Sequence, residues 1–254
     1  MENRAESENC GGEVFSEAEL RLQALNLSKD KLLSVVGHDL RSTIGGVTTL
    51  VHMLERKLDA GETTEVRRLS GLIRRAALDA DELLTDLVDW TRSQGQDIPF
   101  RIAELDLSHL LRAEIERLRP SAEGKGLSFR MEAPDTARAR ADRNMLQAIV
   151  RNLLSNALKF SHPDGEVGVA VTRRPGEWLV EVSDSGVGMA PELQERILKI
   201  DSRKQRAGTA GETGSGFGLL LCEDFVQRHG GRLYWASSPG EGSTSGFTLP
   251  ELVG

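Results

Sequence analysis

The sequence RNLLSNALKF occupies residues 151–160 and shows the two faces of one helix. Asn152, Asn156 and Lys159 recur at i, i+4 and i+7, within ~60° of one another on a helix. The leucines and the alanine between them form an apolar face that belongs in a core. An asparagine carbonyl can bind Mg²⁺ without adding charge that repels a triphosphate, and a lysine can contact phosphates as a point cation. The stretch therefore predicts a half-buried helix with a phosphate-binding and Mg²⁺-binding face.

Two glycine-rich segments follow downstream, each where backbone would approach a ligand. Residues 184–188 read DSGVG after a predicted strand, and a buried carboxylate there can accept the exocyclic amine of adenine. The glycines let the backbone pass close to the base. Residues 214–219 read GSGFGL and open a predicted helix, whose free N–H groups and dipole favour a triphosphate. Together the segments predict a nucleotide site.

Far upstream, residues 37–42 read GHDLRS on a predicted helix. His38 lies ~160° from the centre of the apolar stripe of that helix, so it points into solvent. Asp39 can accept the imidazole proton, which makes the other ring nitrogen a better nucleophile towards a γ-phosphate. Arg41 could offset phosphate charge, and Ser42 lies one turn on, over the same face as His38. These four residues form the predicted catalytic group.

In order and spacing, these segments resemble the H, N, G1 and G2 boxes of the sensor histidine kinases, the ATP-using half of two-component signalling. The resemblance covers roughly residues 28–250. It implies that Asp39 is the general base, that Asn156 binds Mg²⁺, and that the position of Ser42 orients the water that dephosphorylates a partner. The nucleotide-binding residues that it implies are Asn152, Asn156, Lys159, Phe160, Asp184, Gly186, Gly188, Gly214, Gly216, Gly218, Leu219 and Thr244.

The family resemblance also implies a reaction and its partners. ATP–Mg²⁺ bound by residues 101–254 phosphorylates His38, and the phosphoryl group then passes to an aspartate on a response-regulator receiver domain. At position 152 the related ATPases of the same fold carry a glutamate that activates water, whereas this chain has Asn152. This substitution favours a kinase over an ATPase.

The pattern of apolar residues divides the chain into a helical and a mixed part. Residues 1–13 are polar and are expected to be disordered or a linker. Residues 14–93 carry two apolar stripes at helical spacing, broken by turn residues 59–63, and are expected to form a hairpin that pairs in a homodimer as a four-helix bundle. Residues 94–100 are a predicted linker. Residues 101–254 are expected to form an α+β two-layer domain of the Bergerat ATP-binding type.

Within the second part, apolar alternation predicts strands and helical periodicity predicts helices. The predicted strands cover 101–106, 127–132, 167–172, 178–183, 232–236 and 243–249, and the predicted helices cover 107–119, 142–160 and 218–229.

Composition excludes several other classes. The net charge of −7 argues against general nucleic-acid binding, and no apolar run approaches the ~20 residues of a membrane-spanning helix. The acidic N-terminus is not a secretory signal, and only Cys10 and Cys222 occur, at no metal-like spacing. We expect a reduced, cytoplasmic protein. It is either a fragment of a longer kinase or a complete soluble kinase.

Two departures from the family pattern keep alternatives open. Thr43 stands where the family commonly has a proline, and we hypothesise that Gly45-Gly46 supplies the missing deformability. Ile197, Leu198 and Ile200 stand where the family often has phenylalanines, before a predicted lid over residues 200–213. One alternative is a phosphatase-dominant or non-catalytic scaffold that binds a receiver. The other is a protein-serine kinase or ATPase of the same fold.

The remaining histidines are expected to take no part in chemistry. His52, His109 and His162 lack suitably arranged partners in the sequence. His229 precedes Gly230-Gly231 and is expected to end a helix, where a positive charge is favoured by the helix dipole.

Overall fold

The computed structural model describes residues 37, 40–94, 100–194, 208–209 and 218–251. Helix α1 covers residues 40–59 and helix α2 covers Thr63–Gln94. The turn between them places Gly61 at a φ of 69°, and Lys57 pairs with Glu62 across it at 2.7 Å. The predicted helical hairpin is therefore confirmed over the described residues.

The apolar stripe of α2 faces inward. Leu69 and Leu83 are buried, and the other described stripe positions are half-buried. They are Val66, Ile73, Ala76, Ala80 and Leu87. In α1, four stripe positions are half-buried, namely Leu40, Val47, Val51 and Leu54, whereas Ile44 and Leu58 are exposed. One hairpin thus covers only part of its apolar surface.

The rest of the described chain alternates strands and helices, and most of the predicted elements are confirmed with end shifts of a few residues. They are β1 (Ile102–Asp106), α3 (Leu107–Glu123), β2 (Ser128–Glu132), β3 (Arg138–Asp142), α4 (Arg143–Phe160), β4 (Glu166–Arg174), β5 (Glu177–Asp184), α5 (Pro191–Gln194), α6 (Gly218–Arg228), β6 (Leu233–Ser238) and β7 (Gly242–Pro250). Strands β2, β4, β5, β7 and β6 form one sheet in that order, antiparallel except for the β2–β4 pair.

Two elements, β3 and the short α5, escaped the sequence analysis. Strand β3 reads RARAD and pairs antiparallel with β1 as a separate two-stranded sheet. Ala139 and Ala141 are fully buried, and Arg138 and Arg140, which alternate with them, are exposed. The alternation is therefore genuine, but alanine is too weak a strand former to reveal it.

Helices α3, α4 and α6 cover one face of the five-stranded sheet, and the core lies between. Leu146, Ile149 and Leu153 of α4 are fully buried against Phe225 of α6 and Phe247 of β7. Helix α2 contacts α4 and α6. No helix within the described part of the chain is long and apolar enough to cross a membrane.

Candidate functional site

Helix α4 starts at a capped N-terminus and carries the first group of predicted site residues. The Asp142 carboxylate accepts the N–H groups of Asn144 and Met145, at 3.0 and 3.2 Å. Ten residues on, Asn152 is buried, and its amide donates to the Ala148 carbonyl at 3.1 Å. Asn156, Lys159 and Phe160 are half-buried further along the helix. The predicted polar face is therefore present, with Asn152 at its most enclosed end.

The carbonyl oxygen of Asn152 lies against the start of α6. A Cβ placed on Gly218 would come within 1.9 Å of Asn152 Oδ1, so only glycine allows this approach. Leu219 is half-buried and packs on the core. The contact joins the N box of α4 to the only described part of the G2 box, because Gly214 and Gly216 lie outside the described residues.

Donors that the sequence analysis missed cover the C-terminal end of α4. The Lys125 ammonium donates to the carbonyls of Leu158 and Lys159 at 2.8 and 2.9 Å. Thr209 donates its backbone N–H to the Lys159 carbonyl at 3.1 Å, and its hydroxyl to the Ser161 carbonyl. These bonds satisfy carbonyls that a helix end leaves unpaired. They also attach residues 208–209, within the predicted lid, to the end of α4.

The glycine-rich loop after β5 packs against the same end of α4. Val187 N–H donates to the Phe160 carbonyl at 3.2 Å, and Gly186 pairs with Ser161 as an isolated bridge. A Cβ on Gly186 would lie 2.0 Å from the Phe160 carbonyl oxygen. Gly188 has a φ of 59°, and its Cβ would lie 1.8 Å from the Ser238 carbonyl oxygen. The loop can be built only with glycine at both positions.

Asp184 stands at the end of β5 with one carboxylate oxygen unsatisfied. Its Oδ1 is buried and has no hydrogen-bond partner among the described residues. Burial raises the pKa of Asp184 to about 6, while N–H groups of Gly186 and Ser243 and the nearby His162 act to lower it. A buried acceptor without a donor costs free energy, so Asp184 Oδ1 is a candidate to accept a hydrogen bond from a ligand.

The register of β5 and β7 decides which residue of β7 lies beside Asp184. Asp184 pairs with Ser243, and Thr244 pairs with Ser183. Because successive strand residues point to opposite faces, Ser243 shares the face of Asp184 and Thr244 lies on the other face. The sequence did not reveal this register, and nucleotide binding by Thr244 stays a prediction.

Of the predicted catalytic group, His38 and Asp39 lie outside the described residues. Arg41 and Ser42 are exposed at the start of α1. Gly45 and Gly46 are helical, with no atom near a hypothetical Cβ, so packing does not require them. Next to them, Thr48 and Thr49 donate to the carbonyls four residues back, both at 3.0 Å. Such bonds bend helices, and they support the hypothesis that this segment is deformable.

The interpretation of His229 needs correction. Its Nδ1 lies 2.6 Å from the Phe225 carbonyl oxygen, and its Nε2 accepts the N–H of Asp142 at 2.9 Å. Burial lowers the pKa of His229. The ring is therefore neutral and engaged at both nitrogens, and it does not act as a positive charge on the helix dipole.

Comparison with known proteins agrees with this geometry. Residues 141–253 match the family described as histidine kinase-, DNA gyrase B-, and HSP90-like ATPase. The sensor-like histidine kinase SenX3 of Mycobacterium tuberculosis is 28% identical over 94% of this chain and 58% of its own length. The adaptive-response sensory kinase SasA of a Synechococcus strain is 32% identical over 87% of this chain and 59% of its own length.

A solved structure shares the fold over most of the chain. The histidine kinase ThkA, in its complex with the response regulator protein TrrA, superposes with a TM-score of 0.68 at 19% identity, covering 96% of this chain and 68% of that one. The C-terminal part is thus an α/β ATPase domain of the Bergerat type. Over most of its length the chain is similar to proteins named as histidine or sensory kinases. It spans about three-fifths of the length of the curated relatives.

Proposed function

We propose that this chain is an ATP-dependent protein-histidine autokinase. It binds ATP and Mg²⁺ in the domain of residues 101–254 and phosphorylates His38. It then passes the phosphoryl group to an aspartate of a response-regulator receiver domain. The observation that carries the proposal is the buried Asp184 Oδ1, which has no hydrogen-bond partner within the described part of the chain.

Asp184 accounts for recognition of the base. Adenine presents an exocyclic amine, which can donate to Asp184 Oδ1, whereas guanine presents a carbonyl at the same ring position and would face the carboxylate with a second acceptor. A Cβ on Gly186 would lie 2.6 Å from Asp184 Oδ1, so glycine at this position keeps the space next to the carboxylate open. Ser243 of β7 pairs with Asp184 and lies on the same face of the sheet, so it stands beside this proposed site.

The half-buried part of the α4 polar face accounts for binding of the phosphates. Lys159 carries a cation on the last turn of α4, and Asn156 lies one turn before it. The amide oxygen of Asn156 suits Mg²⁺, which prefers oxygen ligands and needs few from the protein when phosphates supply the others. Asn152 is buried, and in this proposal it acts through its contact with Gly218. Bound Mg²⁺ would neutralise phosphate charge.

At the phosphoacceptor, Asp39 accepts the proton of one imidazole nitrogen of His38, and the other nitrogen attacks the γ-phosphorus. The new P–N bond forms as the bond to the bridging oxygen of ADP breaks, and ADP leaves with that electron pair. Arg41 offsets charge on the transferred group. The receiver aspartate then takes the phosphoryl group from phosphohistidine, and Ser42 serves the dephosphorylation of the partner.

We further propose that residues 14–93 form the dimerisation and phosphoacceptor unit, separated by the linker 94–100 from the ATP-binding unit. In the homodimer, two hairpins make one four-helix bundle. The support is the apolar surface that one hairpin leaves exposed, namely Ile44, Leu58, Leu72, Leu84 and Val88. The cytoplasmic location remains a prediction from the sequence.

The decisive experiment is incubation with γ-labelled ATP and Mg²⁺, comparing the unmodified protein with His38→Gln. We expect label that is acid-labile and alkali-stable, because phosphohistidine has this behaviour, and we expect none in His38→Gln. Thr48→Ala, on the same helix, is the control for damage to α1 and should still be labelled. Acid-stable label would favour the serine-kinase alternative. No label despite ATP binding would overturn the autokinase and favour the phosphatase or scaffold alternative.

A further inference from the structure

Four residues from separate parts of the chain meet at the C-terminal end of α6. Asp142 ends β3 and caps α4, His229 follows α6, and Phe100 and Arg101 open the segment that leads from the helical hairpin into β1. We call Phe100, Arg101, Asp142 and His229 the His229 clasp. None of them belongs to the predicted catalytic or nucleotide-binding group.

Hydrogen bonds define the state of the His229 ring. The Phe225 carbonyl can only accept, so Nδ1, at 2.6 Å from it, carries a proton and donates. Nε2 accepts the Asp142 N–H at 2.9 Å and therefore carries none. A second proton on Nε2 would face the N–H of Asp142. Both bonds together require the neutral ring protonated on Nδ1.

The side chain of Asp142 binds the segment of residues 100–101 that leads into β1. Its Oδ1 caps α4, while its Oδ2 accepts the N–H of Arg101 at 3.0 Å. The ring of Phe100 meets the ring of His229 edge to face, with centroids 4.9 Å apart and an interplanar angle of 74°. Phe100 remains 38% exposed, so this contact contributes less to the core than a buried aromatic would. The main effect of the ring contact is to hold residues 100–101 in place.

The His229 clasp thereby joins residues 100–101 to α4 and α6, the two helices of the nucleotide site. Helix α4 carries Asn156 and Lys159, and α6 begins at Gly218 in contact with Asn152. Helix α2 of the hairpin contacts the same two helices. Since packed helices shift as units, the position of residues 100–101 is coupled to that of α4 and α6.

We propose that the His229 clasp holds residues 100–101, the segment that follows the hairpin, against the ATP-binding domain. It thereby sets the position of that domain relative to His38. His229 is a positioning residue in this arrangement. The inference rests on the proposed autokinase function. Loosening the clasp should leave nucleotide affinity nearly unchanged and lower the rate of phosphoryl transfer, because small misplacements of reacting groups are costly.

The test compares Phe100→Ala and His229→Ala with Ile102→Ala, a matched control that shortens an exposed apolar side chain in β1 and removes no ring. For the first two variants we expect the rate of His38 phosphorylation at saturating ATP to fall about tenfold, with the Kd for ATP changed by less than about threefold. His229→Gln keeps an oxygen able to accept the Asp142 N–H, so it should recover part of the rate. Ile102→Ala should match the unmodified protein.

Two magnetic-resonance measurements probe the clasp independently of kinase activity. The ¹⁵N shifts of His229 should show a neutral ring protonated on Nδ1. The Arg101 amide should exchange with solvent about tenfold faster in His229→Ala, because its acceptor Asp142 loses its support.

The outcomes separate the two proposals. If the unmodified protein forms no phosphohistidine, the autokinase proposal fails, and unchanged Arg101 exchange in both alanine variants would then overturn the clasp as well. If phosphohistidine forms but the alanine variants match Ile102→Ala, the clasp alone is wrong. An equal loss of ATP affinity and rate would also overturn it, since that result indicates a purely structural role.

Discussion

The helical hairpin and the α/β domain differ in how completely one copy of the chain buries its apolar side chains. In the hairpin, Ile44, Leu58 and Leu84 are 53%, 55% and 43% exposed. In the domain, Leu146 and Ile149 of α4 are 0% exposed. One copy therefore supplies a complete core for the nucleotide domain and only part of one for the hairpin. The domain should be stable at any concentration, whereas the stability of the hairpin should depend on a second copy.

The largest expected effect is on the domain side of this comparison. In Gly186→Ala the new methyl group would lie 2.0 Å from the Phe160 carbonyl oxygen, which is backbone and cannot move aside. We expect a loss of about 3 kcal/mol in the free energy of unfolding and loss of nucleotide binding. Chemical denaturation and ATP titration measure the two. The effect should not depend on protein concentration.

The control for this variant is Gly124→Ala. Gly124 has a φ of −60°, and its hypothetical Cβ meets nothing closer than 3.5 Å. This change should leave stability within about 1 kcal/mol of the unmodified protein. Equal behaviour of the two variants would show that the loop at Gly186 is not tightly packed.

The second-largest effect is expected in the hairpin, on dimerisation through α2. Leu84 lies ~60° from the centre of the inward stripe of α2, whereas Leu78 lies ~180° from it. Leu84→Ser should weaken dimerisation about 10-fold to 100-fold, because two leucines are lost from one symmetric interface. Leu78→Ser should leave dimerisation unchanged. Sedimentation equilibrium measures both, and a reversed order would mean that the dimer uses the opposite face of α2.

A smaller effect concerns the pH dependence of the nucleotide site. The Asp184 pKa is raised to about 6, so the carboxylate that accepts the adenine amine predominates above that pH. Adenosine affinity should be constant above pH 6 and fall by up to about tenfold per unit below it. Asp184→Asn should bind more weakly and lose this dependence. A pH-independent affinity in the unmodified protein would contradict the role of Asp184.

The same pKa shift has a consequence for stability. The folded state holds the Asp184 proton up to a higher pH than the unfolded state does. The buried charge therefore destabilises the domain above pH 6, and this penalty is relieved as the pH falls from about 6 towards the ordinary aspartate value. Asp184→Asn should remove this contribution to the pH dependence of unfolding.

The smallest effect is expected at Gly45 and Gly46. Neither position has an atom within 4 Å of a hypothetical Cβ, so alanine fits without a clash. Each change should stabilise helix α1 by up to about 1 kcal/mol. If the glycines replace the missing proline as a point of bending, the double variant should phosphorylate His38 more slowly despite its greater stability. Unchanged phosphorylation and regulation would contradict the bending hypothesis.

The sequence predicted the fold where the periodicity was strong. Helix α4 and the strand pair β4–β5 were recognised because long apolar repeats survive small errors at their ends. Strand β3 was missed because its buried positions, Ala139 and Ala141, are small and neutral in propensity. Its strand character comes from pairing with β1, a contact with residues more than 30 positions away.

The candidate site was predictable to the extent that its residues lie close together in sequence. Asn152, Asn156 and Lys159 share one helix, and Gly186 and Gly188 share one loop. Lys125 and Thr209 gave no signal, since each acts by donating to carbonyls at the end of α4 from a distant segment. The sequence could not show that Ser243 shares the face of Asp184 while Thr244 lies on the other face, because side-chain direction depends on register, which only the pairing with β5 determines.

By itself, the sequence determined which segments are helices and strands, and which local sets of groups could bind a nucleotide, because these depend on spacing along one element. Only the tertiary structure decided that Asp184 Oδ1 is buried with no partner among the residues described, that Asn152 faces Gly218, and that His229 is neutral. The physical reason is that burial and hydrogen-bond pairing depend on what other segments bring to the same place. The pKa values of Asp184 and His229, and the contacts of all three residues, depend on segments that are far apart in the sequence.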